Sequence, residues 1–113
     1  MALTRDFRET IRERAQRESA FRRGLLREGL ELIYNGDFAT GRAILRNYIN
    51  ATIGFPKLAR VTSISSPSLQ RMFGPSGNPR AENLLGVIAH LQRQEGVDVE
   101  LRIRPNAKTR AAA

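Results

Sequence analysis

A short central stretch with its own internal spacing limits what this chain can fold into. Residues 55–74, FPKLARVTSISSPSLQRMFG, contain two runs with apolar residues at helical spacing, separated by a polar break. Ala59 lies in the first run and Ile64 in the break, while the second run contains Leu69 and Met72. Apolar residues three or four positions apart share one face of a helix. The stretch therefore predicts two short helices that share an apolar corner, with the small Ala59 where they cross.

Capping signals set the bounds of the second of these helices. Ser65 or Ser66 can accept a hydrogen bond from a free backbone N–H at its start, and Pro67 is tolerated in a first turn. Gly74 and the proline after it end the helix at about Phe73. Two helices joined by a tight turn in this way form a helix-turn-helix, the unit that many proteins insert into the DNA major groove.

The outward positions of the second helix carry side chains that suit the edges of DNA bases. Glutamine pairs with adenine, arginine pairs with guanine, and serine binds a phosphate or either base edge. We predict that the residues that read bases are Ser66, Ser68, Gln70 and Arg71. Apolar periodicity alone is equally compatible with a helical hairpin whose polar face is only solvated.

Arginine dominates the charge of the chain. There are 19 Lys plus Arg against 11 Asp plus Glu, a net charge of +8, and every cation except Lys57 and Lys108 is arginine. Half of the excess lies in residues 37–96, where 7 basic residues face 3 acidic ones. Arginine binds phosphate bidentately, and phosphate contacts release counterions. The balance favours an anionic partner, either nucleic acid or an acidic protein surface.

Apolar periodicity also predicts helices on both sides of the central unit. Gly24 and Gly29 interrupt the second of them and are candidates for close helix packing. Arg42 and Arg46 share one side of the third, where they could reach phosphates or stay hydrated. We expect a mainly α fold, a five-helix domain that contains the helix-turn-helix. Its flanking helices are expected at about 4–17, with Thr4 as the cap, 19–35, 38–51, with Asp37 as the cap, and 80–94.

The C-terminal end of the chain changes its pattern. Residues 97–104, VDVELRIR, alternate apolar and charged side chains, which predicts one β-strand. A lone strand has unpaired backbone groups, so we expect it to pair between the subunits of a homodimer or with the sheet edge of a partner protein. Residues 105–113 are small and basic, and we predict that they are disordered. The expected organisation is an N-terminal helical extension over residues 1–36 and a DNA-binding domain over residues 37–96.

Features that would indicate an enzyme or a metal protein are scarce. Cysteine is absent, and His90, the single histidine, lacks a nearby catalytic or ligand partner by spacing. We therefore expect no enzymatic activity, no cofactor and no metal site. No apolar run approaches the length that spans a membrane, and the N-terminus is charged where a signal peptide needs an apolar core. We expect a soluble cytoplasmic protein.

Residues 58–91 resemble the Cro/repressor-like antitoxins of addiction modules, of the HigA-like antidote type. Three sequence features carry the resemblance: LA before Thr62, SL with RM in the second short helix, and GNP followed by NL. The opening MALTRDFRETI and residues 36–54 look like a subgroup of the same regulators, so the similarity extends over about residues 1–104. Many helix-turn-helix units have glycine in the turn where this chain has Ser63.

The resemblance implies a homodimer that binds a palindromic operator in double-stranded DNA, represses its own operon and neutralises a toxin of the RelE type. It also implies that the four base-reading residues face the major groove, and that the residues near phosphates are Lys57, Arg60, Ser76 and Arg80. One alternative is a protein-neutralising module that grips a toxin through residues 1–36 or 97–104, with DNA binding secondary or absent. Another is nonspecific nucleic-acid binding through arginine, against which the scarcity of exposed aromatic residues argues.

Overall fold

The computed structural model describes residues 5–112, and these residues are mainly helical. The expected helix count of five is wrong, because the described residues form seven helices. They are α1 (Arg5–Arg17), α2 (Ser19–Tyr34), α3 (Phe38–Ala51), α4 (Phe55–Thr62), α5 (Ser66–Met72), α6 (Ala81–Glu95) and α7 (Ala107–Ala112). Helices α1, α2, α3, α5 and α6 lie within about two residues of their predicted bounds, and α4 contains Leu58 and Ala59, which were expected in the first short helix. The predicted cap Thr4 is outside the described residues.

Local signals in the sequence set most of the helix boundaries. The Oδ1 of Asp37 accepts a hydrogen bond from the Thr40 backbone N–H, with an N–O distance of 3.4 Å, as a cap for α3. Gly36 follows α2 with a φ of +94°, and Gly96 follows α6 with a φ of +72°. Both values lie in the left-handed region, which glycine adopts without a steric penalty. The predicted helix ends are confirmed at these positions.

Helices α2 and α3 cross closely because glycine lies at their contact. A Cβ atom added to Gly41 would come within 2.9 Å of the Gly29 carbonyl oxygen and 2.6 Å of the Ile33 Cγ1. A Cβ atom added to Gly29 would come within 2.7 Å of the Leu45 Cδ2. The prediction of close packing is therefore confirmed for Gly29. It is wrong for Gly24, whose added Cβ would meet nothing within 4 Å.

The apolar core joins α2, α3 and α6 to the two short helices. Leu58 of α4 and Leu69 of α5 are completely buried, and the rings of Phe55 and Phe73 lie 6.4 Å apart. The buried apolar residues that form this cluster are Leu26, Leu30, Leu45, Tyr48, Ile49, Phe55, Leu58, Leu69, Phe73, Leu84, Val87, Ile88 and Leu91. The corner predicted from the central stretch is thus the centre of the fold, and Ala59, Ile64 and Met72 pack against it.

A buried carboxylate links three of the long helices. The Glu95 side chain at the end of α6 is only 4% exposed, and its Oε1 accepts a hydrogen bond from the Tyr48 hydroxyl at 2.5 Å. Its Oε2 lies 3.0 Å from Nε of Arg22 on α2. The Nη1 of Arg22 also donates to the backbone oxygen of Ala15 at 2.8 Å, which ties in α1. Burial of Tyr48, together with its bond to Glu95, raises the pKa of the phenol above its ordinary value.

The predicted strand over residues 97–104 is not found. The described residues contain no strand, and these eight are irregular beyond Val97, whose N–H donates to the Gln92 oxygen at 3.1 Å. The physical reason is that the alternation of apolar and charged residues indicates only the face on which each side chain would lie. A strand also needs a second backbone with which to form hydrogen bonds. Residues 97–104 instead form one wall of an open groove of about 1230 Å³ beside α2.

The tail also differs from its prediction. Residues 107–112, which were expected to be disordered, form α7, and the Asn106 Oδ1 accepts a hydrogen bond from the Thr109 N–H at 2.8 Å at its start.

Substitution of Gly41 by alanine should destabilise the fold by about 1–3 kcal/mol, because the new methyl group has no room between α2 and α3. Gly24→Ala is the matched control: it adds a methyl group inside α2 in open space, and better helix propensity should stabilise the protein by up to about 1 kcal/mol. Urea unfolding of both variants checks the pair. Equal effects from the two substitutions would contradict the close crossing.

The raised pKa of Tyr48 predicts a loss of stability at alkaline pH. The unfolded chain releases the phenol proton near the ordinary pKa of 10.0, while the folded chain retains it. The stabilisation is therefore complete below pH 10.0 and falls above it, by at most about 1.4 kcal/mol per pH unit.

Tyr48→Phe should remove this part of the pH dependence, at a cost of about 1–3 kcal/mol at neutral pH because Glu95 loses a donor. Tyr34→Phe, in a residue that is 61% exposed, is the control and should keep the alkaline slope. Unfolding free energies measured from neutral pH to above pH 10 test both variants, and identical slopes in all three proteins would refute the assignment.

Candidate nucleic-acid interface

The turn between α4 and α5 is held by short-range hydrogen bonds. The Thr62 Oγ1 donates to the Leu58 oxygen at 2.8 Å and accepts from the Ile64 N–H at 3.3 Å. Ser63 between them has φ 60° and ψ 25°, the left-handed conformation, and is the one non-glycine residue with positive φ among residues 5–112. Glycine reaches this conformation at no cost. Ser63 thus adopts the conformation that a glycine would supply at this position.

Helix α5 begins with the predicted cap. The Ser65 Oγ accepts a hydrogen bond from the Ser68 N–H at 3.2 Å, and the two serine hydroxyls lie 2.9 Å apart. Pro67 occupies the first turn, where a missing N–H costs no intrahelical bond. Leu69 points into the core and is completely buried. These contacts fix the rotation of α5 about its axis, so the opposite side is turned to solvent.

The four predicted base-reading residues lie together on α5 as two bonded pairs. The Gln70 Nε2 donates to the Ser66 Oγ at 3.3 Å, and the Arg71 Nη2 donates to the Ser68 Oγ at 3.2 Å. Gln70 and Arg71 are exposed, whereas the two serines are half-buried. The long side chains of Gln70 and Arg71 therefore project from the helix. Each is hydrogen-bonded to a serine one turn earlier in the helix.

An open groove of about 930 Å³ runs beside α5. Three of the predicted base-reading residues and one predicted phosphate residue line it, namely Ser68, Gln70, Arg71 and Ser76. Its opposite wall comes from α3 through Arg46 and Asn50. Arg46 was a candidate from its spacing, but Asn50 was missed, although it follows Arg46 by the same four-residue interval. Arg42, the other candidate, is not in the groove lining, and its Nε is buried without a hydrogen-bond partner.

The loop after α5 closes one end of this groove. Gly77 lies so close to the end of α5 that an added Cβ atom would overlap the carbonyl oxygens of Arg71 and Met72. Its N–H donates to the Gly74 oxygen at 3.0 Å. Asn78, in the same loop, also lines the groove and was not predicted. Only a residue without a side chain lets the loop approach this closely.

The remaining predicted phosphate residues lie elsewhere on the surface. Lys57 and Arg60 are exposed on α4, and Arg80 is exposed immediately before α6. None of the three lines the groove beside α5. The structure therefore brings Ser76 to the base-reading residues, while the three cations lie on α4 and immediately before α6.

The segment that runs from α3 to the start of α6 carries charge of one sign only. Residues 38–81 contain six basic residues, of which one is lysine and five are arginine, and no aspartate or glutamate. The acidic residues of the chain fall before and after this stretch. A segment with cations alone produces a positive field that attracts polyanions and speeds their association.

Comparisons with known proteins give no further guide. The chain matches no protein-family model, no curated protein and no solved structure. The resemblance to addiction-module antitoxins therefore stays a prediction. Within residues 5–112, no helix is long and apolar enough to cross a membrane.

The geometry of the turn predicts opposite effects for two neighbouring serines. Ser63→Gly should stabilise the protein by up to about 1 kcal/mol, because it removes the cost of a left-handed conformation. Ser65→Ala should destabilise it by about 1 kcal/mol, because α5 loses its cap. Ser76→Ala, in an exposed loop position, is the control and should change little. Thermal or urea unfolding checks the order of the three, and destabilisation by Ser63→Gly would contradict the turn.

Proposed function

We propose that α4 and α5 form a helix-turn-helix that binds double-stranded DNA sequence-specifically, and that the protein is a transcriptional repressor acting on its own operon. The observation that carries the proposal is the outward side of α5. It presents Gln70 and Arg71, each braced by a serine, within a segment that contains no acidic residue. A base edge offers partners to both side chains, and a uniformly positive surround favours the phosphates on either side.

The two projecting side chains suit different bases. The guanidinium of Arg71 can donate two hydrogen bonds to the O6 and N7 of guanine, and the amide of Gln70 can bond both ways with adenine. Each such pair contributes about 1–3 kcal/mol of discrimination against a wrong base. Both side chains would exchange their present serine partners for base atoms as α5 enters the groove.

Phosphate contacts would come from the cations around α5. Lys57, Arg60, Arg80 and Arg46 are the four candidates, from α4, the start of α6 and α3. If all four bind phosphates, the logarithm of the affinity of one chain should fall against the logarithm of salt concentration with a slope of about −3.6. A homodimer on two half-sites would double this slope, with the half-sites about 34 Å apart along the DNA. The predicted neutralisation of a RelE-like toxin stays a prediction.

Arg71→Ala should weaken binding to the preferred site by about 1–3 kcal/mol and relax the base preference at one position, because the bidentate contact is lost. Lys57→Ala should weaken binding equally to all sequences and reduce the salt slope by about 0.9 for each bound chain. Arg12→Ala, an exposed arginine on α1, is the matched control for loss of charge.

Selection from random duplexes, followed by gel-shift titration and footprinting on the DNA upstream of the gene, measures all three variants. Equal base preference in the wild-type protein and in Arg71→Ala would show that α5 does not read bases. Salt-independent binding, or no binding to any duplex, would overturn the proposed function.

A further inference from the structure

In a single chain, residues 97–104 leave most of their backbone hydrogen-bonding groups and several apolar side chains without a partner. Within the described residues, positions 98–104 take part in no backbone hydrogen bond. Its apolar side chains are also exposed: Val99 by 39%, Leu101 by 66% and Ile103 by 97%. Exposure of three alternate apolar side chains on one short segment is costly in water. Free backbone groups beside an apolar row make the segment suitable for pairing with another backbone.

The charges of this segment are arranged so that it complements a reversed copy of itself. Asp98 and Glu100 come before Leu101, and Arg102 and Arg104 come after it at the same distances. Turning the segment end for end about Leu101 therefore places each acid opposite an arginine. A segment adapted to an unrelated sheet edge has no need of this internal symmetry.

We propose that residues 97–104 form the interface with a second copy of this chain, as an antiparallel pair centred on Leu101. This proposal rests on the proposed function, in which two copies bind two half-sites, and it adds the surface through which the two copies join. Asp98 then faces Arg104 of the second copy and Glu100 faces Arg102, twice each by the two-fold symmetry. Side chains directly opposite in an antiparallel pair lie about 4.5–5.5 Å apart at Cβ, within reach of an ion pair.

Other arrangements of two copies are worse. A parallel pair in register sets like charges side by side. An antiparallel pair centred on Glu100 sets the two copies of Glu100 against each other, and one centred on Arg102 does the same with Arg102. If one chain slips by a single residue relative to the other, charged side chains lie opposite apolar ones. Only the centre at Leu101 pairs all four charges. It also sets Pro105, which has no N–H, opposite Val97 at the ends of the ladder.

The apolar face of such a pair has a surface to rest on. An isolated two-stranded ribbon is marginal in water, and packing against a helix stabilises it. The groove of about 1230 Å³ between α2 and residues 97–104 is lined on the helix side by Leu30 and Tyr34, among others. Tyr34 is 61% exposed in the single chain. The paired segments would bury Val99, Leu101 and Ile103 of both copies against this part of α2.

Two charge reversals test the register, measured by sedimentation equilibrium of the full chain without DNA. In Glu100→Arg the homodimer has two contacts between arginines, and in Arg102→Glu it has two contacts between glutamates. Each variant alone should dimerise at least about tenfold more weakly than the wild-type protein, because two attractive pairs become repulsive. An equimolar mixture restores both pairs, so it should form heterodimers within about threefold of wild-type affinity. Glu82→Arg, with the same charge change on α6, is the control.

Circular dichroism of each variant should match that of the wild-type protein, because the substitutions are at exposed positions. Three results would overturn the interface: a wild-type chain that stays monomeric, single variants that dimerise like the wild-type protein, or a mixture that does not recover. Failure of DNA binding leaves this measurement unchanged because no DNA is present. Conversely, a dimer that ignores both reversals removes this interface and leaves the proposed DNA contacts of α5 standing.

Discussion

The buried carboxylate of Glu95 determines how α2, α3 and α6 lie against each other. A charge removed from water is tolerated only where it is paired and hydrogen-bonded. Tyr48 and Arg22 satisfy it from two different helices, and Arg22 reaches the Ala15 carbonyl of α1 as well. A shift of α2 or α3 relative to α6 would therefore break hydrogen bonds to a carboxylate that is only 4% exposed.

Helix α3 connects the Glu95 hydrogen bonds to the candidate interface. One side of it is closed against α2 at Gly41, and another supplies Arg46 and Asn50 to the groove beside α5. A helix as short as α5, with seven residues, is not stable alone in water. Its position depends on the Ser65 cap and on the burial of Leu69 in the core around α3. Side chains on a fixed helix can be held within the narrow tolerances that recognition requires.

The parts of the fold that the sequence predicts are those whose causes are local. Helix positions follow from apolar spacing and from caps such as Asp37 and Ser65, which act over three or four residues. Contacts between distant residues were not predictable in this way: Glu95 bonds with residues that precede it by 47 and 73 positions. Asn50 reaches the groove for the same kind of reason, since only the tertiary fold brings it beside residues of α5 that lie about 20 positions later. For residues 97–104 the sequence predicted a strand that is not found, because alternation of apolar and charged residues does not reveal whether a second backbone is present.

The proposed dimer and the proposed DNA contacts would be joined through the same buried carboxylate. The pairing segment leaves α6 at Gly96, directly after Glu95, and the Val97 N–H is bonded back to Gln92. The interface would therefore begin at a point that is bonded to α3 through Tyr48, and α3 shares one apolar core with α5. Pairing centred on Leu101, only five residues after Gly96, would limit the separation of the two recognition helices. Two half-sites at that separation would bind with a high effective concentration, whereas half-sites at other spacings would engage one chain only.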